Sequence, residues 1–263
     1  MTNEPVLLQR DGPIATILLN RPENLNAFGE GMHEAAAAAI DAVAHDPAVR
    51  VVVITGAGRG FCSGGDVKKM VELKQAGQSA VFREYLEAGN GLVRSLRRMP
   101  KPVLASVNGT AAGAGMNLAL ACDLRIASEQ ATFTQAFVRI GLHPDWGGTF
   151  FLPRLIGIGR AIEMFALGDT VGAAEALRLG IVNFVVPHER LAEETHKLAA
   201  RLAEAPPLPL ILLKHFVNER LETELDKFME HEVSAQMKCF DSGDFAEGLK
   251  AFLEKRKPNF KGS

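Results

Sequence analysis

The stretch VVVITGAGRGFCSGGDV, residues 51–67, decides the fold class. Val51 to Thr55 form an unbroken apolar run rich in β-branched residues. It does not alternate with polar residues, so it suits a strand buried on both faces. Glycine-rich chain follows at once, and Asp66 stands where a helix cap belongs. The same order returns at Pro102. PVLASV (102–107) reads as a second buried strand, NGTAAGAG (108–115) as a second glycine-rich turn, and Ala114 to Cys122 as a helix.

Outward from these two segments, Pro5 to Gln9 and Ile14 to Leu19 read as strands around the turn Arg10-Asp11-Gly12. Glu30 to His45, with alanine at 35–39, reads as a helix ended by Asp46-Pro47. Asp66 to Arg98 is helical with a break near Gly77, and Leu124 to Ala127 is a short strand. Beyond Gly148 the chain is mostly helical, except for Ile181 to Val186. Alternating strand and helix predict an α/β fold. We place a boundary near Ala200. Residues 1–200 form the core, and 201–263, passing through PPLP (206–209), form a helical C-terminal region whose amphipathic spacing needs a partner surface.

Of 263 residues, 47% are hydrophobic and 23% charged, which suits a protein with a substantial core. A net charge of −2 argues against a nucleic-acid partner. Cys62, Cys122 and Cys239 are widely spaced, with no C-x-x-C pair; they fit a reducing cytosol better than a disulfide framework. MTNEPVLLQRDG lacks the pattern of a secretory leader, and no apolar run is long enough to span a bilayer. A soluble, cytoplasmic protein with no membrane partner is expected. No clustered His/Cys/Asp set suggests a metal.

A strand–turn–helix with glycine at the turn aims backbone N–H groups at a ligand. Two such turns on neighbouring strands can aim two donors at one carbonyl oxygen, the arrangement of an oxyanion hole. The plainer alternative is a pair of tight connections packed by glycine. Gly56, Gly58 and Gly60 do not match the dinucleotide fingerprint, neither turn ends in G-K-[ST], and FCSGG is not a nucleophile elbow. Packing or turn hydrogen bonding suits Ser63. Asp66 reads as a helix cap. GLHPDWGG (141–148) raises a different question, because Asp145 lies in a stiff, apolar segment beside the only tryptophan. It reads either as the N-cap of a helix starting near Trp146-Gly147 or as a group that moves protons. His143 reads as a packing residue that could also tune Asp145.

The chain resembles the crotonase (enoyl-CoA hydratase/isomerase) superfamily. The resemblance rests on LLNRPENLNAF (18–28), residues 51–67, KPVLASVNGTAAGAGMNLALACDLRIAS (101–128), IGLHPDWGG (140–148) and GLKAFLEKRKPNF (248–260). It implies a spiral of ββα units, a helical C-terminal region that packs subunits into homotrimers or hexamers of two trimers, and a coenzyme A thioester as substrate without a further cofactor. By position, it implies oxyanion N–H donors at Gly65 and Ala114, the latter often glycine in relatives. Leu25, Ala27, Ser63, Gly64, Asp66 and Val67 match the wall around the adenine and pantetheine. Ala112, Gly115, Asn117, Phe137, Pro144 and Trp146 complete the expected contacts. Arg21, Arg59, Lys68, Lys69 and Lys255-Arg256-Lys257 are candidate phosphate contacts. Phe260 and the tail lysines are expected to reach a neighbouring subunit's ligand.

Relatives that add water use two glutamates, and here those positions hold Asn117 and Phe137. Neither residue can shuttle a proton. Asp145 matches an aspartate that moves protons in dienoyl-CoA and epoxyphenylacetyl-CoA-type isomerases. In an aryl-CoA dehalogenase it attacks the ring. Trp146, Phe137 and Phe133 are expected to surround it with apolar surface and raise its pKa. The resemblance thus favours a one-base isomerase. Hydration with atypical groups, CoA binding with little catalysis, and covalent catalysis on Asp145 stay open.

Overall fold

A computed structural model describes residues 4–262, and the side chains of all of these except 220–223. β1 (Val6–Asp11) and β2 (Ile14–Leu19) pair antiparallel around Gly12-Pro13, two residues later than the sequence suggests. α1 (Met32–Ala44) leads to β3 (Val51–Gly56), which lies parallel to β2. The run at 51–55 is buried on both faces. Val52 and Ile54 join the cluster that holds Met32, Ile40 and Val93, whereas Val51 and Val53 face Leu191, Ala199 and Ala203.

After β3 the chain does not pass straight from turn to helix. It first forms β4 (Gly60–Cys62) and then α2 (Val67–Gln75). α3 (Ser79–Arg98) follows a break at Gly77, whose φ is +63°. β5 (Val103–Val107), β6 (Thr110–Ala112) and α4 (Ala114–Ala121) repeat the unit. β7 (Leu124–Ser128), β8 (Thr132–Thr134) and α5 (Gly148–Ile156) repeat it again, with a 3-10 turn over Ala136–Ile140. The remaining elements are α6 (Ile158–Leu167), β9 (Thr170–Gly172), α7 (Ala173–Leu179), β10 (Phe184–Val186), α8 (Leu191–Glu204), α9 (Pro207–Asp241) and α10 (Gly243–Leu253).

Two sheets result. The larger runs β1-β2-β3-β5-β7-β10 and is parallel from β2 onward; the smaller runs β4-β6-β8-β9. Sequence reading missed all four strands of the smaller sheet. Each has three residues, too few to carry a periodicity, and two lie inside glycine-rich segments. The architecture is α/β, built from ββα units. α8 packs on the β3, β5 and β7 side of the larger sheet, and α9 then crosses α3 and α5.

Asn26 pins the first glycine-rich segment in place. It is fully buried with φ +58°, a left-handed conformation that asparagine tolerates better than most residues. Its Nδ2 donates to the carbonyls of Ala57, Gly60 and Phe61, and its Oδ1 accepts from Arg21 N. Asn26→Ala strands these partners and is expected to destabilise the fold by about 2 kcal/mol in chemical denaturation.

Candidate active site

The two glycine-rich segments meet at Gly64. With φ +94°, this residue is in a region that L side chains avoid. A Cβ there would lie 2.9 Å from the Ala112 carbonyl oxygen and 3.3 Å from the Ala114 nitrogen. Phe28 N–H donates to Gly64 O (2.7 Å) and Asp66 N–H to Phe28 O (2.9 Å). The residue between, Gly65, keeps its N–H without an intramolecular acceptor among the described residues. Ala114 opens α4, so its N–H has no partner in the helical ladder. Asp66 caps α2 through Lys68 N (3.1 Å), and Ser63 Oγ bonds Asn24 O (3.2 Å).

Both turns open onto a cavity of about 830 Å³, the size of a small-molecule site. Leu25, Ala27, Ser63, Gly64, Gly65, Asp66, Val67, Ala114, Phe137, Asp145 and Trp146 line it. Arg59, Lys68, Lys69, Arg139, Arg256 and Lys257 border it, against the acids Glu23, Asp66 and Asp145. That surplus of positive charge suits a phosphorylated ligand. Arg256 and Lys257 thus border the cavity of their own chain, and Phe260 does not line it.

Several expected contacts stand outside the wall. Ala112 lies behind Gly64, and Gly115 backs onto the Cys62 carbonyl. Asn117 is fully buried and fully engaged: Nδ2 donates to the Asp145 carbonyl (2.8 Å) and Oδ1 accepts from Gln135 Nε2 (2.8 Å). The Pro144 carbonyl accepts from the His143 ring (2.6 Å). Arg21 turns to Asp66 (3.6 Å) and the Ala27 carbonyl (3.2 Å). Phe133 belongs to the core between the sheets and helices. The apolar wall is supplied instead by Met70, Leu73, Phe82, Tyr85, Leu86 and Leu142, chiefly from α2 and α3.

Asp145 does not cap a helix. The N-cap of α5 is Gly147, which has no side chain to cap with, and the Asp145 carboxyl does not bond the first turn. Glu232 of α9 takes that role. Its carboxylate accepts from Gly147 N (2.7 Å), Thr149 N (2.8 Å) and the Thr149 hydroxyl. Asp145 Oδ2 accepts from Gln236 Nε2 (3.2 Å), one helical turn further along α9. Asp145 Oδ1 is buried without a hydrogen-bond partner. Burial first, and the nearby Glu232 carboxylate second, push the Asp145 carboxyl well above its ordinary range. Burial also raises Glu232, to about 7, against the pull of its three donors.

Trp146 has φ +51°, unusual for a bulky residue. Its indole packs edge-on against Phe28 (4.8 Å between centroids) and over Gly89, where any Cβ would run into it. His33 completes the aromatic group, with burial lowering its pKa to about 4, so it is neutral at physiological pH. The His143 ring is turned to Pro144, not to Asp145; its backbone N–H bonds Gln236 Oε1 (2.8 Å). Sequence reading missed Glu232, Gln236, His33 and Arg139. Glu232 and Gln236 do stand four apart in a helix, but nothing in the sequence indicates what they face.

Two outward N–H groups and one buried carboxyl around a cavity bordered by cations can polarise a thioester carbonyl and move a proton beside it. The family described as Enoyl-CoA hydratase/isomerase matches residues 9–263. The chain is 40% identical over 261 residues to a crotonyl-CoA hydratase of Syntrophomonas wolfei, covering 99% of each chain. It is also 40% identical over 264 residues to the 1,2-epoxyphenylacetyl-CoA isomerase of Escherichia coli, covering 98% of this chain and 99% of that one. A solved enoyl-CoA hydratase from Mycobacterium avium subsp. paratuberculosis superposes with a TM-score of 0.88 at 36% identity, over 98% of both chains.

These likenesses define an enzyme of the crotonase fold. The chain belongs to the enoyl-CoA hydratase/isomerase family. Gly64→Ala forces a side chain between the two turns; it is expected to lower kcat on enoyl-CoA thioesters about 100-fold, the scale of losing one oxyanion donor, in steady-state assays.

Proposed function

We propose that this enzyme isomerises a double bond or ring in an enoyl-CoA-type thioester, with Asp145 as the single acid/base. The observation that carries this reading is Asp145 itself: it lines the cavity that Gly65 and Ala114 also line, and its Oδ1 is buried without a hydrogen-bond partner. For a 2-enoyl thioester, the carboxylate removes a γ-proton. The electron pair of that C–H bond moves through the conjugated system to the thioester oxygen. The N–H groups of Gly65 and Ala114 hold the dienolate. The protonated Asp145 then returns the same proton at Cα, giving the 3-enoyl thioester. No water is consumed and no second base is required.

The remaining parts of the proposal rest on the surroundings. The basic border supports recognition of the coenzyme A phosphates, and the thioester is substrate, with no further cofactor called for. Exposed Ile158, Ile162 and Leu167 on α6 and Leu213, Phe216 and Val217 on α9 support burial between subunits, as in a homotrimer or a hexamer of two trimers. The free thiols Cys62, Cys122 and Cys239 support a reducing, cytoplasmic setting.

A second reading, hydration, is favoured by the equal likeness to the S. wolfei hydratase. Incubating a trans-2-enoyl-CoA and a 3-enoyl-CoA in deuterated water separates the two by mass spectrometry. Isomerisation interconverts them and exchanges α- or γ-protons; hydration yields 3-hydroxyacyl-CoA. Asp145→Asn is expected to abolish interconversion and exchange while leaving CoA binding intact; full turnover by that variant would overturn the mechanism. Because the Asp145 pKa is raised, kcat/KM is expected to fall as pH drops through a limb well above 3.8, the ordinary aspartate value, and the Asn variant should lack that limb.

A further inference from the structure

Glu232 and Gln236 lie four residues apart on α9 and therefore on one face of that helix. Both are almost completely buried, at 2% and 1% exposure. Polar side chains so buried on a helix must find partners, and these two find theirs on either side of Asp145. Gln236 accepts from His143 N and donates to Asp145 Oδ2. Glu232 accepts from Gly147 N and Thr149 N. One helix face thus grips residues 143–149 before and after the carboxyl.

The His143 bond fixes the Gln236 amide. Its oxygen must face the His143 N–H, so its NH₂ must face Asp145. That group can only donate, and it occupies Oδ2. Oδ1 is left without a hydrogen-bond partner. We propose that Gln236 and Glu232 are positioning residues for the Asp145 carboxyl: Gln236 holds Oδ2 so that Oδ1 alone exchanges protons with the substrate, and Glu232 fixes the start of α5 and keeps a like charge beside Asp145. The inference rests on Asp145 as the proton shuttle. Other titratable groups around Asp145 include His33 of α1 and Tyr85 of α3 on the cavity wall, His143, whose ring is committed to Pro144, and Cys239 of α9, whose thiol meets the His143 backbone.

The two residues act on Asp145 with opposite sign. Gln236 stabilises the ionised carboxyl by donation, whereas Glu232 opposes its ionisation by repulsion. Removing the donor moves the acidic limb of activity up in pH, and removing the charge moves it down. A purely structural role does not produce opposite shifts.

The test measures kcat, KM and the pH profile for 2-enoyl/3-enoyl-CoA interconversion in wild type, Gln236→Leu, Glu232→Gln and Asp145→Asn. Gln236→Leu is expected to lower kcat about 10- to 100-fold with KM nearly unchanged, as for a misplaced catalytic group, and to move the limb up. Glu232→Gln is expected to move it down. Gln236→Asn, too short to span both partners, should repeat the upward shift and serves if the leucine variant does not fold. Wild-type kcat and an unmoved limb in the Gln236 variants would overturn the inference, as would limbs that shift in the same direction at 232 and 236. Activity in Asp145→Asn would instead sink the proposed function itself, whatever the α9 variants do.

Discussion

A carboxyl group enclosed by apolar side chains either finds donors or gives up its charge. Asp145 is held between those outcomes. One oxygen receives a single neutral donor, the other receives none, and a second buried carboxylate lies close by. Much of the surrounding structure maintains that state. Asn117 and Gly148 hold the Asp145 carbonyl from two elements. The indole next in sequence accepts a left-handed backbone to pack against Phe28 and His33. Such a constraint stores the basicity that a proton-transfer group needs.

The electrophilic side of the site follows from the two-sheet architecture. A strand feeding a helix directly would leave the glycine-rich segments of neighbouring units apart. The three-residue strands β4 and β6 instead pair in the smaller sheet, which brings the Gly64 turn against Ala112 and the start of α4. Asn26 closes the same corner by bonding three carbonyls around β4. Two backbone N–H groups can then face one cavity.

Legibility in the sequence followed length and locality. Long apolar runs such as Val51–Thr55, and punctuation such as Gly77 and Asp66, carry their meaning within a few residues, and the structure matches them closely. The smaller sheet was invisible because its strands are stabilised by pairing, not by a pattern of their own. Asp145 could be singled out, because a carboxylate beside Trp146 is odd in itself. Its role as a cap could not be excluded, because the group that caps α5 is Glu232, from a helix more than eighty residues downstream. Asn117 misled for the same reason: it sits on the helix that follows the second glycine turn, yet its amide is turned into the protein.

That amide also accounts for why a glutamate is missing where the family resemblance leads one to look for it. Asn117 needs a donor for the Asp145 carbonyl and an acceptor for Gln135, and an amide supplies both from one end. A carboxylate has no donor to give. At this position it would face the Asp145 carbonyl oxygen and add a third buried negative charge to Asp145 and Glu232, at a cost that such an enclosed site cannot offset. With Asn117 in place, and with Phe137 contributing only apolar wall, the proposed proton transfer rests on the one carboxyl that α9 holds from behind.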